Sequence, residues 1–218
     1  MKEGGMLKRG ERTALISTAV TGLLALGKGI VGVLSGSLVL TTDALHSATD
    51  VLPRMVSWIG LRIAQREPDE RFPYGYYKAE SVASLFISLF ILWAAVGFIL
   101  EGYEKLFQEP SISLPLVAGA AASASALVSF ALSRYQRGVG EDINSRSLTA
   151  NSKDSMFDAL ASLVVLLAIF LTFLEVPHVE GLATMGIALL ILQVGLESIR
   201  ASVFALMDIS PSEEMERQ

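Results

Sequence analysis

The chain has 218 residues, of which 52% are hydrophobic and only 18% are charged, and its net charge is −5. The apolar residues fall in long runs and the mean hydropathy is +0.52, which indicates a protein whose solvent is lipid and excludes an ordinary soluble domain. Because there is no cysteine, disulfides and thiolate ligands are excluded, and without a basic run nucleic-acid binding is not expected.

Six runs are long enough to cross a bilayer, since a spanning helix needs about 20 mostly apolar residues. In chain order these runs lie at about 13–35, 38–63, 80–107, 113–133, 147–174 and 181–207. The first run is too long for the apolar part of a signal peptide, which has roughly 7 to 15 residues. The sequence therefore predicts an all-α membrane protein with a tail at 1–12, a six-helix transmembrane domain at 13–207 and a short tail at 208–218.

The lysines and arginines predict the orientation of these helices. They cluster in the N-terminal tail, in the connection between the second and third helices and in that between the fourth and fifth, whereas the opposite connections contain only Lys105. Because positive residues favour the cytoplasmic side, both termini are expected to be cytoplasmic, in a multi-pass protein of the cell membrane.

The first and fourth helices are expected to act mainly in packing. Gly32 and Gly36 are four residues apart, and the fourth run consists mostly of small residues, which allow neighbouring helices to approach closely. Lys28 lies in the middle of the first run, where it could serve transport, reach towards the membrane surface or pair with a carboxylate such as Asp43. The two structural roles are favoured over transport.

Four ionisable residues interrupt the second and fifth runs. His46 and Asp50 are four residues apart, and so are Asp154 and Asp158. Residues at this spacing share one face of a helix, and ionisable groups inside a membrane are costly and usually functional. The two helices together could therefore hold a divalent metal ion, although such carboxylates can also serve as hydrogen-bonding groups between helices.

Asp43 and Asn151 each lie three residues before one of these pairs. They are expected either to orient a metal ligand or to line the mouth of the site. Pro53 follows Asp50 closely and cannot donate a backbone hydrogen bond, so a bend of the helix beside the site is favoured.

Four stretches in chain order resemble the cation diffusion facilitator transporters: SGSLVLTTDALHSATDVLP, PDERFPYGYYKAE, INSRSLTANSKDSMFDALASL and ALMDISPSEE. The resemblance covers nearly the whole chain. It implies a homodimer that moves a divalent metal out of the cytoplasm in exchange for protons, by alternating access. It also implies that the two i, i+4 pairs on the second and fifth helices form the central metal site.

The chain departs from the family pattern in three places. Zinc-transporting members usually have histidine where this chain has Asp154, and the residue corresponding to Asn151 is often aspartate. Some members have a histidine site in the connection between helices two and three, but Phe72 and Tyr76 stand at the matching positions and leave Asp69 alone, so this site is not predicted. Finally, the family normally adds a cytosolic C-terminal domain, whereas only about ten residues follow the last run, through natural absence or truncation.

The predicted ligand set bears on the identity of the metal. One imidazole and three carboxylates form a hard set, which favours Mn²⁺ or Fe²⁺ over Zn²⁺ without excluding zinc. Metal binding requires neutral imidazole and ionised carboxylates, so protons and metal compete for the same lone pairs.

The resemblance also predicts a charged contact at the inner face of a dimer, between Lys78 in the KAE motif and Asp208 after the last helix. Alternatively, Lys78 is one more cytoplasmic anchor and Asp208 is a solvated end residue. Both interpretations stay open.

The sequence as a whole predicts a metal/proton antiporter and not an enzyme. There is no HExxH motif, and aspartates paired within single helices suit coordination better than a protease dyad. The alternative is a non-transporting membrane subunit or metal sensor that dimerises with a full-length relative. Metal flux by the purified chain alone would distinguish the two.

Overall fold

A computed structural model describes residues 2–64, 78–109 and 112–207. Side chains are described in these ranges except at 2–8, 53–64, 79–80 and 146–147. Six α-helices follow one another along the described chain: α1 Lys2–Ser35, α2 Leu38–Ala64, α3 Ala79–Lys105, α4 Pro115–Asp142, α5 Arg146–Phe173 and α6 Val179–Leu206. The all-helical fold predicted from the sequence is thereby confirmed.

α4 is longer than its apolar run predicts. It continues to Asp142, so that most of the connection expected at 134–147 is helical. Gln136 and Val139 in this extension are buried, and Ser155 of α5 donates a 2.8 Å hydrogen bond to the Gln136 side chain. Contacts with α5 therefore extend the helix beyond the segment that hydropathy detects.

Five of the described helices are long and apolar enough to cross a membrane, judged by length and composition: the segments are Arg9–Ser35, Ser81–Lys105, Pro115–Asp142, Leu148–Phe173 and Val179–Leu206. α1 itself begins at Lys2, within the predicted tail, and its apolar part starts later. α2 has 27 residues and carries Asp43, His46 and Asp50 in its upper half.

The helices pack as two groups. α4 lies along α5 and α1 along α2, and contacts between α1 and α4 and between α2 and α5 close these four helices around a common interior. α3 and α6 lie along each other and contact α2 from outside. α2 and α5 contact each other over only a short length. We call the end of the molecule with the α1–α2 turn the upper end, and the end with the α4–α5 turn the lower end.

The interior of the molecule differs between the two ends. From the middle to the upper end it contains an apolar cluster that includes Val39, Leu40, Val165 and Ile191. In the lower half, many buried side chains of α1, α4 and α5 carry hydroxyl or amide groups: Thr13, Ser17, Thr21, Ser129, Ser133, Gln136, Ser152 and Ser155. Buried polar groups therefore line the lower half of the interior between α1, α4 and α5.

α3 and α6 approach each other closely at glycines. A Cβ atom at Gly102 would lie 2.9 Å from Met185, and one at Gly181 would lie 2.5 Å from the Gly102 carbonyl oxygen. Lower in the same interface, the Ser88 hydroxyl donates a 2.6 Å hydrogen bond to the Ser198 hydroxyl. Close backbone packing of small residues therefore holds this pair of helices together.

The upper end of α2 is fixed to its neighbours. Glu180 of α6 is buried and accepts a 2.9 Å hydrogen bond from the backbone N–H of Leu38, the first residue of α2. Lys105 of α3 pairs with the same carboxylate at 3.5 Å. Gly32 of α1 packs against Thr41, whose hydroxyl oxygen would lie 2.6 Å from a Cβ atom there. The close packing predicted for this glycine is confirmed.

Candidate metal centre

The ionisable residues predicted to bind metal lie on α2 and α5, which run in opposite directions. The Ser162 hydroxyl of α5 donates a 3.3 Å hydrogen bond to Asp43 of α2, and this contact fixes the register of the two helices. Asp158 lies one turn below Ser162, and His46 and Asp50 lie one and two turns below Asp43. Asp158 is therefore level with the predicted ligands of α2.

Asp158 is buried, with 5% of its surface exposed. Its carboxylate interacts electrostatically with ionisable groups of two other helices: Lys28, Asp43, His46 and Asp50. Asp158 therefore faces the side of α2 that carries His46 and Asp50, with Asp43 above them.

Three buried polar atoms in this region have no hydrogen-bond partner among the described residues: Asp43 Oδ1, His46 Nδ1 and Asp158 Oδ1. Buried polar atoms normally have partners, because leaving one unpaired costs about 1–3 kcal/mol. Carboxylate oxygens and imidazole nitrogens are also the atoms that bind divalent metals such as Mn²⁺ and Zn²⁺. The arrangement leaves lone pairs available to a cation between α2 and α5.

Asp154 lies apart from this cluster. Its side chain is exposed and lines a cavity of about 440 Å³ near the lower end, together with Glu141, Asn144, Lys153 and Phe157. Four residues of an α-helix rotate the side chain by about 400°, so Asp154 points about 40° away from the direction of Asp158. That rotation turns Asp154 towards the cavity.

In the conformation described, the four predicted ligands do not converge on one point. Across residues 2–64, 78–109 and 112–207, no three histidine, aspartate or glutamate side chains are close enough together to hold a metal ion. Asn151 is half-buried two turns below Asp158, and the rotation between these two residues is only about 20°. Asn151 therefore lies below the site, on nearly the same side of α5.

The positions of Asp154 and Asp158 follow from the start of α5. The Ser145 side chain accepts a 3.3 Å hydrogen bond from the backbone N–H of Leu148, which caps the helix and fixes where it begins. On α2, the anchored first residue sets the depth of His46 and Asp50 in the same way, and the helix continues without interruption past Pro53.

A buried ion pair lies directly above the candidate site. Lys28 Nζ is 2.9 Å from Asp43 Oδ2, and both side chains are almost fully buried. Lys28 also donates hydrogen bonds to the hydroxyls of Ser47 at 2.7 Å and Ser162 at 3.4 Å. Ser162 in turn lies 3.2 Å from Ser125 Oγ of α4. The pairing of Lys28 with Asp43 is confirmed, whereas the serines were missed because an isolated serine gives no distinctive signal in an apolar run.

Lys78 lies at the lower end, next to the end of α6. Its side chain donates a 3.0 Å hydrogen bond to the carbonyl oxygen of Leu206 in the same chain, a favourable place for a cation. Asp208, its predicted partner, lies outside the described residues, as do Asp69, Phe72 and Tyr76 of the connection between α2 and α3. The contact between Lys78 and Asp208 stays a prediction.

Carboxylates and a histidine that face each other inside a membrane-spanning bundle mark a path for ions or protons. The fold thus defines a class, a multi-pass integral membrane protein with ionisable groups buried between its helices. The comparison with known families is more specific: the profile of the cation efflux transmembrane domain matches residues 14–207. The chain belongs to the cation efflux family, and its resemblance to the cation diffusion facilitators is confirmed.

The chain is similar to several bacterial relatives. The magnetosome protein MamB of Paramagnetospirillum magneticum is 32% identical over 196 residues, which make up 88% of this chain and 65% of the relative. MamB of Magnetospirillum gryphiswaldense is 32% identical over 192 residues, with the same coverage of 88% and 65%. The manganese efflux system protein MneS of Bacillus subtilis is 30% identical over 202 residues, which make up 93% of this chain and 70% of MneS. The chain therefore spans about two thirds of the length of these relatives.

Proposed function

We propose that this chain exports a divalent metal ion in exchange for protons, by alternating access at a site between α2 and α5. One observation carries the proposal. Lone-pair atoms of His46 and Asp158 are buried without a partner among the described residues, in a chain of the cation efflux family. A cation is the partner that such atoms would accept.

The proposed ligands are the four residues predicted from the sequence. Asp158 faces the side of α2 that carries His46 and Asp50, and Asp154 lies one turn lower, facing the cavity between α4 and α5. Turning the lower part of α5 by about 40° would give Asp154 the direction that Asp158 has now. In the proposal, Asp154 makes this movement when metal arrives, and Asn151 lines the mouth beneath it.

We further propose that all six helices cross the membrane, with both termini in the cytoplasm. The basic residues near the lower end support this orientation under the positive-inside rule. Metal would then enter through the lower half, whose buried hydroxyl and amide groups tolerate a polar solute better than the apolar cluster above. The short contact between α2 and α5 supports an opening of the upper half for release.

Proton exchange has a direct chemical basis in this ligand set. Imidazole must be neutral and carboxylates must be ionised to bind metal, so loading releases protons and unloading takes them up. The apparent affinity for metal should therefore fall as the pH falls, because protons then occupy the same lone pairs.

Mn²⁺ is the proposed main substrate. Fe²⁺ is expected to be the next most preferred metal, and Zn²⁺ the least preferred of the three. Three carboxylates and one imidazole form a hard ligand set that suits Mn²⁺. The relative MneS carries manganese efflux in its name, which agrees with this assignment. We also propose that the chain works as a homodimer, with Lys78 and Asp208 in contact at its inner face.

The test is flux by the purified chain in liposomes that contain a Mn²⁺ indicator and a pH indicator. We expect Mn²⁺ movement in one direction to drive protons in the other, and an imposed pH gradient to drive Mn²⁺ uptake. Metal binding without any flux would contradict the transport proposal and favour a sensor or a subunit. Flux that leaves the pH unchanged would contradict proton exchange alone.

A further inference from the structure

The geometry points to Lys28 as a built-in counter-cation that keeps Asp43 out of the ligand set of the transported metal. The inference rests on the proposed function, since it concerns the same site between α2 and α5. Lys28 is a positioning residue in this scheme, because it acts on the metal through Asp43 and does not touch the metal itself.

The ammonium group of Lys28 has a hydrogen-bond acceptor for each of its donors. An ammonium has three N–H donors, and the structure supplies three acceptors, on Asp43, Ser47 and Ser162. Only 2% of the side chain is exposed, so these contacts replace the water that a charged group would otherwise need. Lys28 is therefore held firmly in place above the site.

Asp43, in contrast, has hydrogen bonds to only one of its two carboxylate oxygens among the described residues. Its Oδ2 atom accepts hydrogen bonds from Lys28 and Ser162, whereas its Oδ1 atom has no partner in the part of the chain that the structure describes. Asp43 is three residues from His46 on one side of α2, and both residues interact electrostatically with Asp158. Without Lys28, Asp43 would thus be a free carboxylate beside the metal position.

The ion pair also sets the charge that the metal meets. The charges of Lys28 and Asp43 cancel, so that Asp43 adds no net charge to the site below it. A further charged carboxylate would bind a divalent cation more tightly, since affinity in oxygen-ligand sites rises with ligand charge. A transporter must also release its substrate, so an extra ligand at this point would slow the cycle.

Stability alone does not account for this arrangement. Burying an ion pair costs desolvation energy that often equals or exceeds the attraction, and apolar replacements of similar volume can be as stable. A lysine in the middle of a spanning helix is therefore better explained by its effect on the neighbouring carboxylates.

The experiment compares Mn²⁺ binding and flux in folded variants, with Lys28→Gln as the central change. Glutamine removes the charge but can still bond to Ser47 and Ser162. We expect Lys28→Gln to bind Mn²⁺ on the order of tenfold more tightly and to transport it more slowly, since Asp43 joins the ligands. Arg9→Gln is the control, because it removes a cation from an ion pair with Asp142, 3.1 Å long, at the lower end, away from the site. Its Mn²⁺ affinity should equal that of the wild type.

Two further variants separate the possible roles of Asp43. Asp43→Asn should weaken Mn²⁺ binding, because Lys28 then presents an unpaired positive charge to the metal. The double variant Lys28→Gln with Asp43→Asn should return the affinity to the wild-type level. A weaker Mn²⁺ affinity in Asp43→Asn together with a wild-type affinity in the double variant is expected only if Lys28 neutralises Asp43. These two variants therefore test the inference even if Lys28→Gln alone fails to fold.

Three results would overturn the inference. An unchanged or weaker affinity in folded Lys28→Gln means that Asp43 does not become a ligand. If the double variant binds Mn²⁺ more weakly than the wild type does, Asp43 already binds the metal. If Asp43→Asn binds Mn²⁺ as tightly as the wild type does, the pair of Lys28 and Asp43 is purely structural. If the wild type itself binds no divalent metal, the proposed function fails and this inference fails with it.

Discussion

The interface between α3 and α6 and the interface between α2 and α5 are held in opposite ways. α3 and α6 pack backbone against backbone at Gly102 and Gly181, with no room for a side chain between them. α2 and α5 touch over a short length, and a hydrogen bond that joins them in the described chain runs from Ser162 to Asp43.

This difference indicates which parts of the molecule can separate. Closely packed backbones resist sliding, because any shift brings atoms into collision, so α3 and α6 are suited to move as one body. A few hydrogen bonds between polar side chains can break and form again within one cycle. Of these two interfaces, α2–α5 is therefore the easier to open, and it contains the proposed metal site.

The largest effect should come from removing a ligand between α2 and α5. Asp158→Ala or Asp50→Ala should lower Mn²⁺ affinity by at least about 100-fold and abolish flux, since the remaining ligands are too few. Ser198→Ala, which removes a hydrogen bond between α3 and α6, is the control and should leave binding intact. Calorimetric titration and liposome flux measure both. Wild-type flux in either aspartate variant would refute the site.

The next largest effect should come from disturbing the α3–α6 packing. Gly181→Ala places a Cβ atom 2.5 Å from the Gly102 carbonyl oxygen, so the helices must move apart. Overpacking of this kind costs roughly 1–3 kcal/mol, which a thermal unfolding curve in detergent would reveal. Gly186→Ala on the same helix is the control, since nothing in the described chain lies within 4 Å of its Cβ position. Equal unfolding temperatures for the two variants would contradict the close-packing account.

A smaller change should sharpen the chemistry of the α2–α5 site. Asp154→His should shift the preference towards Zn²⁺ over Mn²⁺, on the order of tenfold, because imidazole suits zinc and carboxylate suits manganese. The matched control is Glu141→His, which alters another carboxylate of the same cavity. Competition binding of Zn²⁺ and Mn²⁺ to both variants tests this prediction. The same shift in both variants would show that charge in the cavity selects the metal, and not Asp154 as a ligand.

The smallest effect concerns Lys78, at the lower end of the α3–α6 pair. If Lys78 meets Asp208 across a dimer, Lys78→Ala should weaken dimerisation, by only about 0–1 kcal/mol if the contact is exposed. The charge swap Lys78→Asp with Asp208→Lys should restore part of the loss, whereas Lys153→Ala should change nothing. Sedimentation in detergent measures the dimer fraction. An unchanged dimer fraction in the Lys78 variant would contradict a contact of Lys78 across the dimer.

The sequence predicts the helices well because lipid leaves few alternatives to long apolar helices. It places the end of α4 too early, since Gln136 is held by a hydrogen bond from Ser155 of α5, which hydropathy does not measure. The pairing of Lys28 with Asp43 was also foreseeable, because two buried opposite charges on adjacent helices have strong reason to meet.

The candidate site could be predicted only in part. Spacing places Asp154 and Asp158 on one side of α5, but it ignores the rotation of about 40° that four residues accumulate. With a cavity beside the helix, that rotation suffices to turn Asp154 outwards while Asp158 stays buried. The serines around Lys28 were out of reach as well, because their role depends on which helices become neighbours.

The ion pair above the site has a consequence for how the membrane voltage acts on this protein. Lys28 and Asp43 carry opposite charges only 2.9 Å apart, so a helix movement that carries both shifts almost no net charge through the electric field. An unpaired charge crossing the membrane would be worth about 2.3 kcal/mol per 100 mV. In the proposed exchange, the voltage then acts mainly on the metal and on the protons. One proton per Mn²⁺ would make the exchange voltage-dependent, whereas two would make it electroneutral. Measuring flux at different voltages therefore distinguishes these two stoichiometries.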